Sequence, residues 1–127
     1  MFGYKWATDN IPESDDVGIR PWGMYEVLLN GDNVKVKQIT VDPKQRLSYQ
    51  YHDKRREQWT VVSGILTIVL DGEKVFRNPG ESIHIPLGSA HRAWNETDEP
   101  VVFIEVQTGT YFGEDDIVRL EDDYARE

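Results

Sequence analysis

Cysteine is absent from the 127 residues. That excludes disulfides and thiolate metal sites, and it fits an expected cytoplasmic location. No apolar run is long enough to span a bilayer, and no charged-then-apolar leader opens the chain, so no membrane association is expected. Positive charge is in short supply. Fourteen Lys and Arg against 23 Asp and Glu leave a formal net charge of −9. Such a chain is a poor general binder of nucleic acid or anionic membrane. An anionic ligand would need a local cluster of basic side chains. Histidine is scarce too: three residues, His52, His84 and His91.

What is present is turn punctuation and aromatic bulk. Four Trp, six Tyr and four Phe can fill a substantial core in a chain of one-domain length. Short runs of alternating apolar residues recur every eight to twelve positions, separated by Gly, Pro and Asn. That spacing predicts an all-β barrel or sandwich. Asn30-Gly31 and Asp71-Gly72 carry hairpin chemistry. Residues 1–19 read as an N-terminal arm, in which Phe2, Tyr4 and Trp6 alternate like an edge strand in need of a partner surface. This predicts a homodimer. Residues 20–127 form one domain. At its end, Ile117, Leu120 and Tyr124 fall at i, i+3 and i+7 behind an acidic run, a pattern that predicts a short C-terminal helix.

The informative stretch runs from Gln50 to Asn95. Gln50 and His52, at i and i+2, would share one strand face, because strand side chains alternate sides. Glu57 arrives on the next strand and His91 on a later one. Two imidazoles, a carboxylate and an amide oxygen suit a divalent metal ion: zinc first, with manganese, iron, cobalt or nickel also compatible. His52, Glu57 and Gly64, followed by Gly80, Pro86, Gly88, His91 and Asn95, fall in register with the paired cupin motifs. Lys44 and Gln50 stand where the first motif has Gly and His. The resemblance implies an all-β cupin double-stranded β-helix (jelly-roll) barrel. His84, outside the motifs, reads as an ordinary sheet residue.

Within cupins the chain resembles the type II mannose-6-phosphate isomerases, including the C-terminal isomerase domain of bifunctional mannose-1-phosphate guanylyltransferase/phosphomannose isomerases. Arg20-Pro21-Trp22-Gly23, Lys35-Val36-Lys37, Gln50 with His52, Arg55 with Glu57 and Trp59, His91-Arg92, and the ending from Ile104 through Gly113-Glu114-Asp115-Asp116-Ile117 carry the resemblance, which covers roughly residues 18–126. Gln50 is itself this family's choice. Asp53, Lys54, Gln58 and Ala125 depart from its pattern and put substrate identity and turnover in question.

The resemblance implies metal-dependent interconversion of mannose 6-phosphate and fructose 6-phosphate, with a small sugar phosphate as the partner molecule. Lys35, Lys37, Arg55 and Arg92 are the phosphate candidates, with Arg20 behind them. Arg55 is the strongest, on a loop tethered by metal ligands at both ends, and it joins Glu105 as a catalytic candidate. The base stays open between Glu105, His84 and a hydroxide on the metal. Two other readings share the barrel: a non-catalytic sugar-phosphate binder, and a metal enzyme of another class, epimerase or oxygenase.

Overall fold

The computed structural model describes residues 16–124. The aromatic arm of Phe2, Tyr4 and Trp6, and Ala125, lie outside them. Eleven strands occur among the described residues: β1 (Val17–Arg20), β2 (Gly23–Asn30), β3 (Val34–Val41), β4 (Tyr49–His52), β5 (Arg55–Ser63), β6 (Leu66–Leu70), β7 (Glu73–Arg77), β8 (Ser82–Ile85), β9 (His91–Trp94), β10 (Val101–Gly109) and β11 (Ile117–Glu121). They form a six-stranded sheet in the order β1-β2-β3-β10-β5-β8 and a five-stranded sheet in the order β11-β4-β9-β6-β7. This is the expected all-β jelly roll, with the strands antiparallel throughout. The first sheet takes in Val17–Ile19, so it begins inside the stretch assigned to the arm.

Alternation builds the interior. β5 buries Arg55, Glu57, Trp59 and Val61; β10 buries Val101, Phe103, Glu105 and Gln107; β3 buries Lys37, Ile39 and Val41. The register sets Phe103 opposite Ile39 and Val61, and Glu105 opposite Lys37 and Trp59. Each strand therefore runs from an apolar end to a charged end, and the charged ends coincide. Trp22, Leu66, Ile68, Ile83, Ile85 and Ala93 complete the apolar half. Apolar burial of this kind contributes about 1.5–3 kcal/mol per large side chain.

The turns follow their residues. Asp71 and Gly72, at φ of 49° and 85°, make the two-residue connection between β6 and β7, both in the left-handed region that the primed hairpin turn requires. Asn30-Gly31 does not turn this way. Residues 31–33 make a longer loop closed by the Gly31 N–H on Val34 O at 2.8 Å. Gly64 sits at φ 81°, where a Cβ would lie 2.7 Å from Pro100 O. Lys44, at the position where the cupin motif has Gly, also adopts a left-handed φ of 67°.

The expected C-terminal helix does not form. Glu114–Asp116 makes one 3-10 turn, and Ile117–Glu121 continues as β11 against β4. Two forces override the helical pattern. Without β11, the strand carrying Gln50 and His52 would be an open sheet edge with unpaired backbone groups. The acidic residues also find fixed partners as the segment crosses the sheet. The Asp116 carboxylate accepts from the Asp53 and Lys54 N–H groups at 3.3 and 3.0 Å. Glu121 pairs with Arg92 at 2.6 Å and Asp123 with Arg46 at 2.7 Å. Along β11 the burial period is two: Ile117 and Arg119 are half-buried, while Val118 and Leu120 are exposed.

Candidate metal centre and cavity

Three strands bring the expected ligands together. Gln50 and His52 lie on β4, Glu57 on β5 and His91 on β9, and Gln50 stands directly opposite His91 in the β4–β9 pair. Ligand atoms of His52, Glu57 and His91 all lie within 4.8 Å of one another, and all three residues are buried. Glu57 Oε2 is 3.3 Å from His52 Nε2, and Glu57 Oε1 is 3.8 Å from His91 Nε2. The Trp59 indole N–H donates to Glu57 Oε1 at 2.9 Å.

These residues fit a divalent ion. The His91 Nδ1–H donates to Ser89 O at 2.9 Å, which leaves Nε2 carrying its lone pair. That Nε2 is buried and has no hydrogen-bond partner. It faces a carboxylate oxygen, and two acceptors turned toward each other are satisfied by a cation. The electrostatics agree. Burial would raise the Glu57 carboxyl, but the rings of His91 and His52, the Arg55 guanidinium and the Trp59 hydrogen bond together hold it down at about 2. Burial drives His52 down to about 3 against the opposing pull of Glu57. An ionised carboxylate beside a neutral imidazole is the form in which these groups ligate metals.

A cavity of about 260 Å³ opens beside the cluster, just below the usual range of ligand pockets, about 300 to 1,000 Å³. Its walls include Gln50, Glu57 and Glu105, the aromatics Trp22, Tyr25 and Trp59, and four cations: Arg20, Lys37, Arg55 and Arg119. Four cations against two carboxylates make a local positive balance in a chain of net charge −9. Arg20 and Lys37 both lie against the Tyr25 ring, at 5.0 and 4.6 Å from its centroid.

Glu105 is buried on the cavity wall. Burial first, and then the charge of Glu57, push its carboxyl up to about 7, against Lys37, Arg55 and a hydrogen bond from the Gln107 amide. His84, by contrast, is exposed on the edge strand β8 and is not part of the wall. Of the expected phosphate residues, Lys37 and Arg55 line the cavity and Lys35 does not. Arg92 does not line it either. It follows His91 on β9 and so points to the other face, where it donates to Leu47 O at 2.9 Å and to Glu121. Arg55 occupies the first position of β5 rather than a loop, 4% exposed, and bonds the candidate ligands Glu57 and His52 themselves.

Arg119 was not singled out by the sequence. Strand register places it directly opposite Gln50, and its Nε is buried with no partner. A helical reading of the tail hides it, because only a period of two sets Arg119 and Ile117 on the cavity side. The departures at Asp53, Lys54 and Gln58 are all exposed and outside the cavity wall.

Comparison with known proteins matches residues 9–122 to the family described as mannose-6-phosphate isomerase C-terminal. The xanthan biosynthesis protein XanB of Xanthomonas campestris pv. campestris is 47% identical over 107 residues, covering 84% of this chain and 23% of XanB. The mannose-1-phosphate guanylyltransferase ManC of Salmonella typhimurium is 45% identical over 107 residues, covering 84% of this chain and 22% of ManC. The chain thus spans less than a quarter of the length of these curated relatives. Among solved structures, the capsular polysaccharide assembling protein CapF of Staphylococcus aureus superposes with a TM-score of 0.71 at 22% identity, over 83% of this chain and 31% of CapF. A protein from Silicibacter pomeroyi, described as a sugar phosphate isomerase from a cupin superfamily, superposes with a TM-score of 0.63 at 21% identity, over 86% of this chain and 78% of that one. These two likenesses establish the cupin fold.

Proposed function

This chain belongs to the mannose-6-phosphate isomerase C-terminal family, and from that premise we propose that it is a divalent-metal-dependent isomerase interconverting mannose 6-phosphate and fructose 6-phosphate. The observation that carries the reading is the division of the cavity. A buried carboxyl, Glu105, stands beside the ligand cluster, and Arg20, Lys37, Arg55 and Arg119 supply the positive charge that a phosphate dianion needs.

Aldose–ketose isomerisation moves one proton between adjacent carbons. Glu105 takes the proton from the second carbon of the open-chain aldose; the electron pair becomes the enediol double bond, and the carbonyl oxygen takes up charge. The proton then returns to the first carbon, and the hydroxyl proton passes between the two oxygens. A carboxyl at about 7 is suited to both halves, since it is ionised enough to accept and acidic enough to return. A divalent ion held by Gln50, His52, Glu57 and His91 would supply the Lewis acidity that stabilises the oxyanion. Lys37, opposite Glu105, places a second positive charge at the same depth. Trp59 orients Glu57 through its indole N–H, and Trp22 and Tyr25 offer apolar faces to the sugar carbons.

The departures at Asp53, Lys54 and Gln58 face outward, so this chemistry does not depend on them. The test is a metal-reconstituted assay on both hexose phosphates. Saturable binding without turnover would instead select the sugar-phosphate binder.

A further inference from the structure

Arg55 occupies an unusual place for a phosphate-binding residue. Its Nε donates to Glu57 Oε2 at 2.9 Å, its Nη2 lies 3.1 Å from His52 Nε2, and its Nη1 reaches Phe112 O at 3.4 Å. Arginine is always a donor, so His52 Nε2 is the acceptor in this contact. An imidazole nitrogen has one lone pair. It cannot accept from Arg55 and ligate a metal at the same time. A carboxylate oxygen has two, so Glu57 can serve both. The conflict therefore falls on His52.

Resting on the metal-site reading above, we infer that Arg55 competes with the metal ion for His52 and couples metal binding to anion binding. Metal loading displaces the guanidinium from His52. Because Arg55 also lines the cavity, the displaced fork turns toward the space flanked by Arg20, Lys37 and Arg119. A bound phosphate group then retains it there, away from the imidazole. In this scheme Arg55 acts on the metal through His52 and touches the phosphate directly. By linkage, phosphate tightens the metal by the same factor by which the metal tightens phosphate.

The test titrates cobalt(II) into the whole chain, followed by its visible absorption, with and without sorbitol 6-phosphate, which carries the phosphate and cannot isomerise. Three proteins are compared with wild type. Arg55→Met removes charge and fork, Arg55→Lys keeps the charge and loses the fork, and His52→Ala marks the site. Both Arg55 variants are expected to bind cobalt more tightly than wild type, Arg55→Met by roughly tenfold or more, the scale of one hydrogen bond to a charged group. Sorbitol 6-phosphate is expected to tighten cobalt about fivefold or more in wild type, within the usual range of coupling, and to do so much less in Arg55→Met. Unchanged or weaker cobalt binding in both variants, each folded by near-ultraviolet circular dichroism, overturns the inference and leaves the metal site standing. Tightening in Arg55→Met alone also overturns it, since charge removal then accounts for the effect. Wild type that takes up no cobalt, or takes it up independently of His52, defeats the metal site and the inference together.

Discussion

Lys37 and Glu105 stand directly opposite each other on β3 and β10, both buried, where the barrel interior changes from apolar to charged. Two rungs further in, the same strands pair Phe103 with Ile39. In the proposed reaction Glu105 is the proton-transfer carboxyl, and Glu57 belongs to the candidate ligand cluster. Glu105→Gln keeps the shape and removes the base. It should lower kcat by roughly 10²–10⁴-fold, the usual contribution of a positioned base, with metal content by atomic absorption unchanged.

Glu105 also marks the pH dependence of stability in chelator-treated protein. Its folded value, about 7, lies above the ordinary 4.5. The folded state therefore binds this proton more tightly than the unfolded state does. The stability it contributes is full below about 4.5 and is lost as pH rises through about 7. Relative to wild type, Glu105→Gln should gain in urea midpoint between pH 5 and pH 8. A difference that stays flat across that window would show that Glu105 is not held protonated.

Arg119 and Arg92 separate two roles that the sequence runs together. Arg119 lines the cavity opposite Gln50, whereas Arg92 ties β9 to Leu47 O and Glu121 on the far face. Arg119→Ala should raise KM for the hexose phosphate by roughly 10–100-fold, given about 1.5–3 kcal/mol for a hydrogen bond to a charged group. Arg92→Ala should lower the urea midpoint and leave KM close to wild type. Steady-state kinetics and denaturation on the two variants check both halves.

Much of this site is legible in the sequence because strand geometry is periodic. Gln50 and His52 share a face by their spacing alone, and Glu57 and His91 follow from motif register. The tail is not legible in the same way. Ile117, Leu120 and Tyr124 fit a helix by local pattern, and only the unpaired edge of β4, a tertiary fact, makes the segment a strand. A helical tail hides Arg119. Arg92, adjacent to His91 in sequence, faces the opposite way in a strand, which the motif alone does not show. The charged run around Arg55 reads as a loop, whereas β5 begins at Arg55 and turns it inward.

Lys44 shows a motif position whose physical demand outlasts its residue. At φ 67° it holds the left-handed conformation that Gly adopts freely, with its ammonium bonded to Glu96 O at 3.0 Å. Comparing Lys44→Gly with Lys44→Ala removes the side-chain contacts from both and isolates the backbone. The Gly variant should be the more stable by roughly 0.5–1 kcal/mol, strain relief less the greater freedom of Gly in the unfolded chain. Urea denaturation giving the reverse order would contradict the strain.

Sugar-phosphate isomerisation by the metal-loaded barrel is checked by supplying chelator-stripped protein with zinc, manganese, iron(II), cobalt or nickel and following mannose 6-phosphate and fructose 6-phosphate by proton NMR in deuterium oxide. Conversion in both directions with at least one metal is expected, with deuterium appearing at the carbon that receives the proton and turnover lost in His91→Ala. Metal-loaded protein that binds either sugar phosphate saturably, yet yields neither product nor deuterium exchange with any of the five ions, would contradict it.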